Sequence, residues 1–183
     1  NDMSFYQTDL LITIVDPHRP GHETSYYPGE TNLRLADVVL INKIDTADSF
    51  DVTELRESVR EINPTAIIVD GASPVTVSNP ELLLNKRALV VEDGPTLTHG
   101  EMQYGAGVVA AEKLGISELV DPRPFTVGKI SETFEKYENI GVLLPAMGYG
   151  DEQMRDLETT INNTDCDVVV IGTPIDLSRI TNI

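Results

Sequence analysis

Residues 38–41, Val-Val-Leu-Ile, constrain this chain more than any other stretch. They are apolar, mostly β-branched and bounded by polar residues. Such a run reads as a strand buried on both faces, the habit of a parallel sheet. Parallel neighbours need a crossover, usually a helix. The sequence supplies one: Val52, Leu55, Val59 and Ile62 recur at helical spacing, acidic residues occupy the first turn, and Asn63-Pro64 is a stop. Comparable apolar runs lie at residues 10–15, 66–69, 88–91, 118–120, 141–144 and 167–171. Helical patterns are expected at residues 31–36, 101–114, 131–137 and 151–162. The expected fold class is α/β, a mostly parallel sheet with flanking helices. Residues 16–30 read as loop, because Pro17, Pro20 and Gly21 oppose a helix.

In open α/β sheets, ligands sit beyond the carboxyl ends of the strands. Residues 38–41 run directly into Asn42-Lys43-Ile44-Asp45. The chemistry of these side chains suits a guanine base. A carboxylate at Asp45 can accept from the ring N–H and the exocyclic amine, a donor pair that adenine lacks. The Asn42 amide can reach the other purine edge, and the Lys43 stem can lie over the ring. One βα unit later, Ala72 and Ser73 stand where backbone N–H groups could close over the base. A strand ending in ordinary turn residues is the plainer alternative.

Other loops after apolar runs carry candidates for phosphate chemistry. Asp16 could hold Mg²⁺, directly or through water, or simply cap a turn. Arg19, His99 and Arg123 are candidate catalytic cations, and His18, His22, Asp93, Thr96 and Thr98 candidate phosphate or substrate contacts. Thr98 could equally cap the following helix. All three histidines follow apolar strands. If those strands share one sheet, their loops share one edge, which favours a single anion site. Asp121-Pro122-Arg123-Pro124 echoes Asp16-Pro17-His18-Arg19-Pro20.

Composition narrows the partners. A net charge of -17 argues against nucleic acid and anionic membranes. It permits a nucleotide and a small phosphorylated substrate, held through backbone N–H groups and Mg²⁺. No apolar run nears the roughly 20 residues that span a bilayer. The single Cys166 excludes an internal disulfide and is compatible with a cytoplasmic location. A homo-oligomer is compatible with all of this.

The Asn-Lys-x-Asp stretch resembles the base-specificity motif of P-loop GTPases. The phosphate loop itself, G-x-x-x-x-G-K-[ST], is absent. At the one Gly-Lys pair, Gly128-Lys129, Arg123 replaces the first glycine and Ile130 follows the lysine. More of the chain resembles the carboxy-terminal part of the cyclic 2,3-diphosphoglycerate synthetase-like proteins, predicted P-loop GTPases of archaea and bacteria. The resemblance is carried by residues 16–23, 26–30, 42–45, 91–100, 121–124, 145–150 and 172–177.

That resemblance implies a P-loop NTPase-like, Rossmann-like three-layer fold, here expected to lack its amino-terminal strands. Residues 1–84 would be the carboxy-terminal half of a GTPase-like domain. Residues 85–183 would add α/β units, in a continuous sheet or a small second lobe. It also implies a phosphoryl-transfer enzyme using GTP or ATP with Mg²⁺ to close 2,3-diphosphoglycerate. The fragment alone is expected to be inactive and to expose an apolar sheet edge. A regulatory or metal-delivery GTPase, using His18 and His22, and a non-catalytic nucleotide-binding module are the alternatives.

Overall fold

The computed structural model describes residues 7–94, 97, 103–148, 150–174 and 177. They form two compact units that divide between Pro74 and Val75. The α/β expectation holds in both, and every strand pairing described is parallel.

The first unit is a three-stranded sheet ordered β1-β2-β3: β1 (Ile12–Val15), β2 (Val38–Ile41) and β3 (Ile67–Asp70). Its helices are α1 (His22–Ser25), α2 (Gly29–Leu35) and α3 (Ser49–Ile62). The expected loop over residues 16–30 therefore needs correction. Gly21, at φ 84, turns the chain just after Pro20. The Gly21 carbonyl then accepts the N–H and hydroxyl of Ser25, so one helical turn forms. Asp48 caps α3 by accepting the Phe50 N–H at 2.8 Å.

One face of this sheet is a core. Val15, Val39 and Ile41 are buried with Leu33 of α2 and Leu55 and Val59 of α3. The other face also carries apolar side chains, several of them exposed among the described residues. Register puts Ile12 and Ile14 beside Val38 and Leu40, and these beside Ile67 and Val69. Ile12, Ile14 and Ile67 are more than half exposed. The apolar exposure thus lies across a face, where parallel sheets are ordinarily covered.

Asn63 locks the covered side. Its buried amide donates to the carbonyls of Leu33 and Ala36, both at 2.9 Å. Its carbonyl accepts from Thr65 and Ala66. The end of α2 is thereby tied to the turn between α3 and β3.

The second unit is built on β4 (Arg87–Asp93), which extends beyond the apolar run of residues 88–91 at both ends. On one edge it pairs with β7 (Val168–Gly172). The opposite edge is shared by β5 (Glu118–Leu119) near the start and β6 (Leu144–Ala146) near the end. Pro145 sits inside β6, whereas its sequence reads as loop. β6 pairs only with β4 among the described residues, and a proline is tolerated where its missing N–H faces no partner.

The helices are α4 (Ala106–Lys113), α5 (Gly128–Lys136) and α6 (Asp151–Asn163). Alternation along β4 assigns their sides. Ala88 and Val90 pack with Val108 and Ala111 of α4. Leu89 and Val91 pack with Ile130 of α5 and with Leu157 and Ile161 of α6. Leu83, in the stretch that the sequence groups with the first half, is buried in this second core.

Candidate functional site

The carboxyl ends of β1, β2 and β3 bring three loops of the first unit together. Asn42 leaves the sheet by donating its N–H to the Val15 carbonyl at 3.0 Å. The chain then turns sharply, with Lys43 in the left-handed region at φ 58. The Lys43 carbonyl accepts the N–H groups of Thr46 and Ala47, both at 3.1 Å, which closes the turn. Gly71, just past β3, donates to the Ile41 carbonyl, and its own carbonyl accepts the Ile44 N–H. A side chain at Gly71 would meet Leu40 at 2.9 Å and the Asn42 amide oxygen at 3.5 Å.

Asp45 is exposed and its Oδ1 accepts the Ser73 backbone N–H at 2.8 Å. The small-residue loop after β3 is therefore attached directly to the Asp45 carboxylate. A carboxylate has about four lone-pair sites. One N–H from Ser73 leaves capacity for two donors of a purine.

The loop after β1 is braced to the same place. Lys43 Nζ lies 2.6 Å from Asp16 Oδ2. Asp16 Oδ1 accepts the His18 backbone N–H at 3.1 Å, and His18 Nε2 is 3.0 Å from the Thr46 hydroxyl. Pro17 is fully buried between them in sequence. Further along, the His22 ring meets Tyr26 edge-on, centroids 4.9 Å apart, and Glu23 accepts from Ser58 at 2.7 Å. Arg19 donates its N–H to the Asp16 carbonyl. His18 and His22 thus turn to different partners. Among the described residues no three His, Cys, Asp or Glu side chains converge as a metal centre. Both oxygens of Asp16 are engaged, one by the Lys43 ammonium and the other by the His18 N–H.

The remaining candidates belong to the second unit. Thr96, Thr98 and His99 lie outside the described residues. Asp93 ends β4. Arg123 is a strut: its guanidinium bonds Asp121 at 3.0 Å and the carbonyl of Ile140, and stacks 4.8 Å from the centre of Phe134. The Asp121 turn repeats the Asp16 turn, because Asp121 Oδ1 accepts the Arg123 N–H at 3.0 Å. The idea of one edge shared by all three histidines assumed a single sheet. Two sheets are found, so that argument does not carry over.

Glu92 escaped the sequence reading. It is 3% exposed, at the end of β4, and accepts the Val108 N–H at 3.0 Å. Burial pushes its carboxyl pKa up, while N–H groups of Val108, Gly107 and Gly105 pull the other way. Glycines make room for it. A side chain at Gly105 would come within 2.4 Å of Oε2, and one at Gly172 within 2.7 Å. The nearest sequence signal is the pair Gly105 and Gly107 inside the helical pattern expected over residues 101–114, which suggests close packing or a broken first turn.

Residues 3–70 match the family described as CobW/HypB/UreG, nucleotide-binding domain. The chain is also 58% identical over 183 residues to a protein of Thermococcus kodakarensis named Arginine synthetase ArcE. All of this chain is covered by that match, which spans 41% of the relative's length. The similarity to a nucleotide-binding domain falls on the unit that holds the Asn42–Asp45 turn.

Proposed function

We propose that the first unit recognises the base of a guanine nucleotide and that the protein is an NTP-dependent synthetase. The observation that carries the reading is the attachment of Asp45 to Ser73 N–H at 2.8 Å, at the shared carboxyl edge of β2 and β3. A guanine-binding carboxylate must hold its orientation, and a neighbouring loop fixes this one. The nucleotide-binding family match over residues 3–70 supports the same assignment. Mg²⁺ would come as the counter-ion of the nucleotide phosphates. Arg19, on the loop that starts at Asp16, would oppose charge developing on them.

For the reaction, the relative's printed name favours arginine as the product over a cyclic diphosphoglycerate. In this reading, hydrolysis of the bound nucleotide would drive the synthesis. Only 41% of that relative is represented here, so the condensing chemistry is assigned to the protein as a whole.

The test is calorimetric binding of Mg²⁺-GTP and Mg²⁺-ATP to the full-length protein. A GTP preference that Asp45→Ala abolishes is expected. A preference for ATP that is insensitive to Asp45 would overturn the base assignment.

A further inference from the structure

We propose that Asp16 is a positioning residue of base recognition: its carboxylate anchors the Lys43 ammonium so that the lysine stem is held across the purine. This rests on the guanine reading above. The register carries it first. Val15 lies opposite Ile41, so Asp16 and Lys43 leave adjacent parallel strands within one residue of each other. Both ends of the pair are fixed. Lys43 has its backbone closed by Thr46 and Ala47, and Asp16 is set by the His18 N–H. Only the flexible stem of the lysine needs restraint, and the 2.6 Å ion pair supplies it. The side chains are 35% and 22% exposed, so solvent screens the pair less than it would a fully exposed one.

The second unit gives an independent parallel. Asp121 makes the same turn and also pairs with a cation, Arg123 at 3.0 Å, well away from any Asn-Lys-x-Asp sequence. An aspartate in this turn is thus used twice as the anchor of a basic side chain. A lysine restrained before the ligand arrives loses less rotamer freedom on binding.

The experiment is calorimetry with guanosine in the presence of EDTA, on the full-length protein. Guanosine has no phosphate, so metal ligation cannot contribute. Asp16→Asn is expected to weaken binding by up to about fivefold, the range of a partly exposed ion pair. Asp16→Glu, which keeps the charge, retains affinity nearer the wild type. In a Lys43→Met background, which keeps a stem but no ammonium, Asp16→Asn brings no further loss. Equal losses in the Asn and Glu variants overturn the proposal. So does an Asp16→Asn effect that persists in full without the ammonium. Unchanged guanosine binding with lost Mg²⁺ dependence of GTP binding assigns Asp16 to the metal instead. A wild-type protein that binds no guanosine, or binds it equally after Asp45→Ala, removes the base reading itself, and that result is read without any Asp16 variant.

Discussion

Glu92 accepts the backbone N–H of Val108 at 3.0 Å, so a buried carboxylate fills the first turn of α4. The position is one where helices favour an anion. Burial nevertheless raises the Glu92 pKa above 4.5, with the Asp93 charge adding to the effect. The folded state therefore holds this proton more tightly than the unfolded chain. The resulting stability is complete below about pH 4.5 and fades as pH climbs through the raised value. Glu92→Gln removes that titration. Melting curves of the two proteins, taken from pH 4 to 8 (~0.5 pH steps), should show the wild type losing stability relative to the variant as pH rises. Parallel curves would count against the assignment.

Gly105 shares the same crowding. Its backbone, at φ -129 and ψ -161, suits any residue, so the need for glycine there is purely steric. Gly105→Ala places a methyl on the Glu92 carboxylate and should cost about 1–3 kcal/mol in urea unfolding. In a Glu92→Ala background that cost should largely vanish. Additive losses would show that the two residues do not interact.

Asn63 holds α2 to the α3–β3 turn through both ends of its amide. Asn63→Ala takes the amide donor from the buried carbonyls of Leu33 and Ala36, leaving the first only the Ala36 N–H. A loss of about 2–4 kcal/mol in chemical denaturation is expected, with Asn63→Asp nearly as harmful because it cannot donate. A change under about 0.5 kcal/mol would mean that water replaces the amide without penalty.

Ser73 serves Asp45 through its main chain alone. Ser73→Ala should leave nucleotide affinity unchanged, whereas Ser73→Pro removes the donor and should weaken it about tenfold. Equal affinities of the Ala and Pro variants would show that this bond does not orient the carboxylate.

Arg19 is proposed to act on developing charge. Arg19→Ala should therefore reduce turnover about a hundredfold while the nucleotide Kd shifts by less than about threefold. Steady-state rates beside calorimetry give both numbers, and unchanged turnover would remove Arg19 from the chemistry.

What could be read from the sequence was what repeats locally. Val38–Ile41 announces a buried strand through β-branching, and Val52, Leu55 and Val59 announce α3 through their spacing. The Asn42–Asp45 turn could be placed because a buried strand fixes where its polar end must emerge. The clasp at Asn63 could not, since its acceptors lie about 30 positions back on another helix. Glu92 follows the apolar run of residues 88–91, and nothing local signals that N–H groups of Gly105, Gly107 and Val108 will receive its carboxylate. Arg123 looked like a ligand contact because a charged residue after a strand carries no sign that carbonyls of residues 140 and 141 will claim it. Helix α1 was missed because prolines mask a turn that one glycine with positive φ restores.

The left-handed backbone of Lys43 has a consequence for engineering. A residue with a β-carbon pays about 1–2 kcal/mol to occupy that region, and glycine does not. Lys43→Gly would relieve the turn while discarding the ammonium that reaches Asp16 and the stem assigned to the purine. A laboratory selection for heat resistance alone would be drawn to this position, and its winners would be hardier proteins without the stem proposed to lie over the base.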